Sequence, residues 1–268
     1  MMSIWEAIFL GALQGLTEFL PVSSSGHLVM AQQLLPGFHQ PGVAFDVLLH
    51  VATMVAVVLY FRLEIGKLIV APFRRGVDYQ VYRRLLLLII LASVPTAVIG
   101  LTFKDFLTGL FEQPIVTAVM LLVTGTILYA AEQIKTAERS GRMIDKLTVS
   151  DALIVGTVQG LAIIPGISRS GSTIATLLFK GVDGETAARF SFLLALPAVG
   201  GATLLSLGDL AQLNSAAVPA CLLGMVTSFA TGLLAIHWLL AVVRKKRLFA
   251  FAVYCWIIGG TFLVISLI

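Results

Sequence analysis

A chain of 268 residues that is 58% hydrophobic and only 12% charged, with a mean hydropathy of +0.99, lies well above the roughly 45–50% apolar content of soluble domains, which excludes that class. Its net charge of +4 and pI near 9.2 come from loop residues, so they describe topology and lipid contact and give no support to a nucleic-acid partner. Its two cysteines, Cys221 and Cys255, lie in apolar sequence and imply neither a disulfide framework nor a metal knuckle.

A hydrocarbon core of about 30 Å takes around 20 apolar residues to cross. In chain order, residues 4–35 are apolar but cut near their middle by Pro21 and the run Ser23 to Gly26, and they read as a re-entrant helical hairpin. Met1 to Leu20 lacks a basic N-terminal region and carries Glu6 and Glu18, so no cleavable signal is expected. Spans are expected at 43–61, 85–103 and 114–131. Residues 150–180 repeat the interrupted pattern as a second hairpin, and further spans are expected at 186–207, 215–243 and 248–268. The fold class is therefore all-α and polytopic: one membrane domain over 1–268 with about six transmembrane helices and two re-entrant hairpins.

The second hairpin nearly copies the first. Gln14-Gly15-Leu16 with Ser23-Ser24-Ser25-Gly26 returns 145 positions later as Gln159-Gly160-Leu161 with Ser168-Arg169-Ser170-Gly171, and Gly11, Gly15 and Phe45 match Gly156, Gly160 and Phe190. Two repeats follow, 1–131 and 150–268. Interrupted segments in corresponding places of two halves point to a membrane site built from broken helices at the repeat interface. The glycine pairs have the GxxxG spacing of close helix packing in lipid, which serves within one chain or in a homodimer. All but Lys104 and Arg169 of the 18 Lys and Arg residues fall on one side of this topology. That side is cytoplasmic by the positive-inside rule, so 62–84, 132–150, 180–188 and 243–248 face the cytoplasm and both termini lie outside. The hairpins then enter from opposite faces, as inverted-topology repeats. The run Arg244 to Arg247 anchors this topology against anionic membrane lipid.

Polar chemistry gathers at the hairpin tips. Glu18, His27 and Arg169 are ionisable groups near mid-membrane turns, where a central charge costs at least about 2.5–3.5 kcal/mol, so they need partners and mark a site. The first tip offers Ser23, Ser24, Ser25 and His27, and the second Ser168, Arg169, Ser170, Ser172 and Thr173. If each turn opens a half-helix, its free N–H groups and dipole form an anion site, to which Arg169 adds a two-pronged donor. A serine beside a histidine supplies a nucleophile and its base, and a carboxylate can orient that base. His50, on an apolar span, reads as structural, and His39 and His237 as loop and interface residues. Asp46 and Arg189 read as members of structural ion pairs.

The segments from Gln14 to His27 and from Pro165 to Thr173 resemble the two signature motifs of the undecaprenyl-diphosphate phosphatase family of the bacitracin-resistance type, and the similarity spans essentially the whole chain. The resemblance implies a bacterial plasma-membrane (inner-membrane) enzyme, with its site opening toward the outer, periplasmic face. It would hydrolyse a polyprenyl diphosphate lipid, undecaprenyl diphosphate, to undecaprenyl phosphate and inorganic phosphate, recycling the carrier of cell-wall synthesis. Carried over to this sequence, it implies Glu18, Ser24, His27 and Arg169 as catalytic residues, with Ser23, Ser25, Ser168, Ser170 and Thr173 as phosphate contacts. Family motifs often begin with an acidic residue where this chain has Gln14, leaving that position as polar support. The carboxylates invoked for a divalent cation, magnesium or calcium, thus reduce to Glu18, and a diphosphate substrate would have to carry such an ion.

Ser24 as nucleophile with His27 and Glu18 handling protons, and direct attack by water or His27, use the same residues. The Ser-Gly-His fragment also resembles the acid-phosphatase-like membrane phosphatases, but their Lys/Arg-rich first motif and His/Asp third motif are missing. The competing class is a secondary transporter or lipid flippase, because inverted repeats with broken helices are a transporter architecture.

Overall fold

A computed structural model of the protein describes residues 2–35, 43–133, 141–208, 215–244 and 247–267. His39, Lys135, Arg139, Lys245 and Lys246 lie outside the described residues. Among those described there is no strand, and an isolated bridge joins Arg142 to Val182. The helices are α1 (Ile4–Phe19), α2 (Ser24–Leu34), α3 (Val43–Tyr60), α4 (Arg62–Val70), α5 (Val77–Thr102), α6 (Lys104–Leu110), α7 (Pro114–Gln133), α8 (Val149–Leu161), α9 (Arg169–Phe179), α10 (Gly184–Leu205), α11 (Val218–Arg244) and α12 (Phe249–Leu267).

Tyr79–Thr102, Pro114–Gln133, Gly184–Leu205, Ser215–Val243 and Phe249–Leu267 are each long and apolar enough to cross a membrane. The expected span at 43–61 is α3, which joins α4 through an 80° bend and counts as a sixth span when the pair is taken together. α5 starts earlier than hydropathy suggests, at Val77, so Arg83 and Arg84 ride on a helix rather than in a loop. Their guanidinium groups are held by backbone carbonyls, Arg83 by that of Arg74 (2.7 Å) and Arg84 by those of Asp145 (3.1 Å) and Leu147 (2.8 Å). Hydropathy marks the part of a helix that suits lipid, whereas the helix itself runs back to Gly76, whose φ of 139° breaks it.

Both hairpins are built from the same local devices. Ser3 caps α1 and exchanges bonds with Glu6, the Glu6 N–H donating to Ser3 Oγ (3.2 Å) and the Ser3 N–H to Glu6 Oε2 (2.6 Å). Thr148 and Asp151, offset by the repeat distance, form the same reciprocal cap on α8 (3.2 and 2.9 Å). α1 stops at Leu20, which Pro21 forces into the extended region (ψ 146°). α8 ends in a turn through Pro165 and Gly166. Gly166 has φ 93°, and an added Cβ there would lie 2.2 Å from the Thr117 carbonyl oxygen, so this turn requires glycine.

The halves interlock. α1 packs along α11, from the other half, and α8 packs along α5, from the first. A Cβ on Gly11 would sit 2.2 Å from the Gly224 carbonyl oxygen, and one on Gly156 would sit 1.9 Å from that of Ala92. Thr96 Oγ1 also donates to the Gly156 carbonyl (2.8 Å). Lipid tails are as apolar as leucine, so this close backbone contact, rather than expulsion from water, holds the helices together. Beneath the tips, Phe19 packs edge-on against Phe192 (5.4 Å, 83°) in a core that includes buried Phe190. At the far end of the second hairpin, Arg142 grips Asp151 with both guanidinium nitrogens (2.9 and 3.2 Å), and Lys180 approaches at 3.7 Å.

Candidate active site at the hairpin tips

The two tips touch. Ser170 Oγ donates to the Leu20 carbonyl across them (3.1 Å). A Cβ on Gly26 would meet Gly166 Cα at 3.1 Å, and one on Gly171 would meet Pro21 at the same distance. Each tip opens a helix capped by a serine: Ser23 Oγ accepts from the Gly26 N–H (3.3 Å) and Ser168 Oγ from the Gly171 N–H (3.0 Å). The caps differ in strain, since Ser23 holds φ 67°, the single positive-φ non-glycine position among the described residues. Such strain persists only where surrounding structure imposes it, and it clusters at functional sites.

Glu18, in the last turn of α1, is the hub. One carboxylate oxygen, Oε1, pairs with Arg169 Nη2. The other, Oε2, accepts from Ser24 Oγ (2.5 Å) and Gln14 Nε2 (2.9 Å), with His50 Nε2 at 3.6 Å. Ser24 and Arg169 are repeat counterparts, each the first residue of its half-helix. The expected partner for a carboxylate buried in apolar sequence is thus found, and the pair satisfies two charges that would each be costly alone. Arg169 Nη1 is buried with no hydrogen-bond partner, a charged donor on the first residue of α9, whose Glu18 partner also holds Ser24.

The remaining expected residues divide. Ser25 is half-buried at the first tip, 3.4 Å from Ser23 Oγ. Ser168, Ser170 and Thr173 are buried and already engaged: the Ser168 N–H donates to Thr124 Oγ1 (3.0 Å), and Thr173 Oγ1 bonds the Arg169 carbonyl (2.8 Å) and Ser191 Oγ (2.6 Å). In this arrangement these bonds brace the tips. His27 is brought to the tip but not to Ser24. Its Nδ1–H donates to the Ser23 carbonyl (2.8 Å), which leaves Nε2 to accept from the Tyr254 hydroxyl of α12 (2.8 Å). Arg189 is in an ion pair, with Glu185 (2.7 Å), and Asp46 accepts from Gln32 Nε2 (2.9 Å).

Reading the sequence missed His50 and Tyr254. For His50 a signal was present: at the repeat offset it faces Ala195, just as Glu18 faces Ile163. Tyr254 carries none, because its contact with His27 spans 227 positions.

A resident divalent cation does not suit this donor set. Glu18 is the one carboxylate at the tips, and its oxygens already accept from Arg169, Ser24 and Gln14. Among the described residues no group of three His, Cys, Asp or Glu side chains could hold a metal ion.

A helical membrane protein whose two broken hairpins join a carboxylate, a serine and an arginine is defined as a class by this fold and site: a phosphate-handling membrane protein. The chain belongs to the bacitracin resistance protein BacA family, whose model matches residues 7–261. It is similar to the undecaprenyl-diphosphatase of Syntrophotalea carbinolica, 58% identical over 99% of this chain and 100% of the relative. The undecaprenyl-diphosphatase of Desulfatibacillum aliphaticivorans is 45% identical (98% and 99% covered) and that of Alkaliphilus metalliredigens 41% (100% of both).

Proposed function

We infer that this protein is an undecaprenyl-diphosphatase: a multi-pass membrane hydrolase that converts undecaprenyl diphosphate to undecaprenyl phosphate and inorganic phosphate, returning the lipid carrier to cell-wall synthesis. The observation that carries the mechanism is the convergence of Ser24, Glu18 and Arg169 from two separate hairpins. Ser24 directs its hydroxyl proton at Glu18 Oε2, so the nucleophile and its general base are already hydrogen-bonded. Arg169 orients the base through Nη2, and its unpartnered Nη1 is the donor for a phosphate oxygen. The first N–H groups of α2 and α9, which have no partner within their helices, add further donors for charge developing on the phosphoryl group.

Ser24 Oγ attacks the terminal phosphorus as the bridging P–O bond breaks, undecaprenyl phosphate leaves, and water releases inorganic phosphate from the seryl intermediate. His27 holds the strained first tip, tying the Ser23 carbonyl to Tyr254, and acts on Ser24 by positioning it. The repeats are inverted, the basic loops are cytoplasmic, and the site opens toward the outer face of the inner membrane. Apolar tail contacts supply binding while the tips favour the transition state.

The test is phosphate release from undecaprenyl diphosphate by purified protein in detergent, with Arg169→Ala alongside and with a chelator in a parallel arm. Release that disappears in the variant and survives chelation supports this reading. A folded protein that binds the lipid diphosphate without releasing phosphate would instead be a transporter or flippase.

A further inference from the structure

The half-buried imidazole of His50, on α3, has no part in the mechanism above, yet it lies against the hub of the site. We propose that His50 is the proton exit of the active site: it receives from Glu18 the proton that Glu18 takes from Ser24, and passes it to solvent. The proposal rests on the reading of Glu18 as the base for Ser24.

Elimination around one carboxylate oxygen leaves His50 as the acceptor. Glu18 is buried, its side chain 5% exposed, and a protonated Glu18 cannot serve the second, hydrolytic step until it has lost that proton. Oε1 faces the Arg169 guanidinium, which has no lone pair to offer. Around Oε2 stand Ser24, the source of the proton, the Gln14 amide nitrogen, which only donates, and His50 Nε2. The tautomer of His50 is set by geometry. Its Nδ1 lies 2.8 Å from the Asp46 carbonyl oxygen, which can only accept, so Nδ1 carries a hydrogen and Nε2 is left with the lone pair in the neutral ring. His50 is also the more open partner, with 28% of its side chain exposed.

The 3.6 Å separation is longer than a hydrogen bond, and contacts of this kind close on substrate binding or through one water. On elements packed against α3, Glu64 of α4 lies near the Arg189 and Lys67 charges, and three other ionisable groups have partners of their own. Glu6 bonds Ser3, Glu185 pairs with Arg189, and His237 approaches the Tyr60 hydroxyl (3.2 Å). The repeat points the same way: Ala195 occupies the matching position in the half whose tip has Ile163 in place of Glu18.

The chemistry balances. Ser24 Oγ bonds the terminal phosphorus, and the electron pair of the broken P–O bond leaves with undecaprenyl phosphate. The Ser24 proton moves to Glu18 Oε2, then to His50 Nε2, then to water. In the second step the attacking water gives a proton to Glu18, the Ser24–phosphorus bond breaks, and that proton returns to Ser24 Oγ as inorganic phosphate departs.

The experiment measures steady-state hydrolysis of undecaprenyl diphosphate by the full-length protein and its Ser24→Ala, His50→Gln and His50→Ala variants, with and without added imidazole, alongside their melting temperatures. Both His50 variants are expected to lose at least about ten-fold in kcat with KM changed less than about two-fold. Imidazole, a mobile proton acceptor, is expected to restore part of the kcat of His50→Ala and none of that of Ser24→Ala. A His50→Gln enzyme within about two-fold of the parent, or a loss in His50→Ala that imidazole leaves untouched, overturns the proposal. Activity surviving in Ser24→Ala overturns instead the reading on which it rests.

Discussion

The first and second hairpin tips share a frame and differ in what they carry. Ser23 caps α2 through the Gly26 N–H as Ser168 caps α9 through that of Gly171, and the pairs Ser23–Ser25 and Ser168–Ser170 repeat their side-chain contact at 3.4 and 3.3 Å. Against that shared frame, Glu18 stands opposite Ile163, Ser24 opposite Arg169, His27 opposite Ser172 and His50 opposite Ala195. The first tip holds the groups able to exchange protons, a carboxyl, a hydroxyl and an imidazole, and the second holds the permanent cation. A repeat therefore supplies geometry twice, and the chemistry resides where the repeat is broken.

The sharpest way to test this division is to remove chemistry from one tip and compare the loss of a bracing hydroxyl from the other. Glu18→Gln and Ser24→Ala should each lower kcat by about 10²–10⁴-fold, since one removes the proposed base and the other the proposed nucleophile. Ser170→Ala removes a tip-to-tip bond to the Leu20 carbonyl and should lower kcat far less while reducing thermal stability. Equal losses in phosphate-release assays of the three variants would mean that the tips do not divide the work.

Arg169→Lys probes the second tip alone. Lysine keeps the charge but cannot hold Glu18 and a phosphate oxygen with two nitrogens of one rigid plane. Loss of one such donor is expected to cost about 10²-fold or more in kcat. A lysine variant with near-parent kinetics would show that charge suffices at this position and that Nη1 is not a phosphate donor.

Packing, in contrast, should respond alike in both halves. Gly11→Ala and Gly156→Ala each drive a methyl group into a facing carbonyl oxygen, and overpacking of this kind costs about 1–3 kcal/mol. Similar falls in melting temperature, with kcat intact in the folded fraction, would support a common frame. A large fall in one variant alone would break the equivalence of α1 on α11 with α8 on α5.

Much of this was legible beforehand, for physical reasons that also explain what was not. The spans appeared because crossing lipid demands a long apolar run, and the hairpins because Pro21 and the Pro165–Gly166 turn interrupt such runs. Glu18 and Arg169 stood out because a charge in apolar sequence needs a partner, and each proved to be the other's. α4 and α6 gave no signal, since short helices beside spans carry neither the length nor the apolar content that marks a crossing. The engagement of His27 with Tyr254 and of Thr173 with Ser191 was hidden, because residue type shows that a group can bond but not which partner tertiary packing brings.

The smallest predicted effect separates the two helix caps. Asp151 and Glu6 close the same kind of cap, but Asp151 is buried and also gripped by Arg142, whereas the Glu6 bonds are exposed. Burial alone would raise the Asp151 carboxyl, but hydrogen bonds from Arg142 and Thr148 and the Arg142 charge outweigh it and hold it below the ordinary carboxylate range. A carboxyl whose pKa is depressed on folding contributes stability that is fully present above its unfolded value, near 3.9, and is lost as pH falls through the lower folded value. Asp151→Asn should thus lower stability by about 1.5–3 kcal/mol near neutral pH, the worth of hydrogen bonds to a charged group, and more than Glu6→Gln does. Below about pH 4 the gap between Asp151→Asn and the parent should begin to narrow, because the unfolded chain takes up the proton first, and it should close as pH falls through the lower folded value. A gap that persists unchanged on acidification would locate the contribution of Asp151 in packing rather than in charge, and the two caps would then differ only in burial.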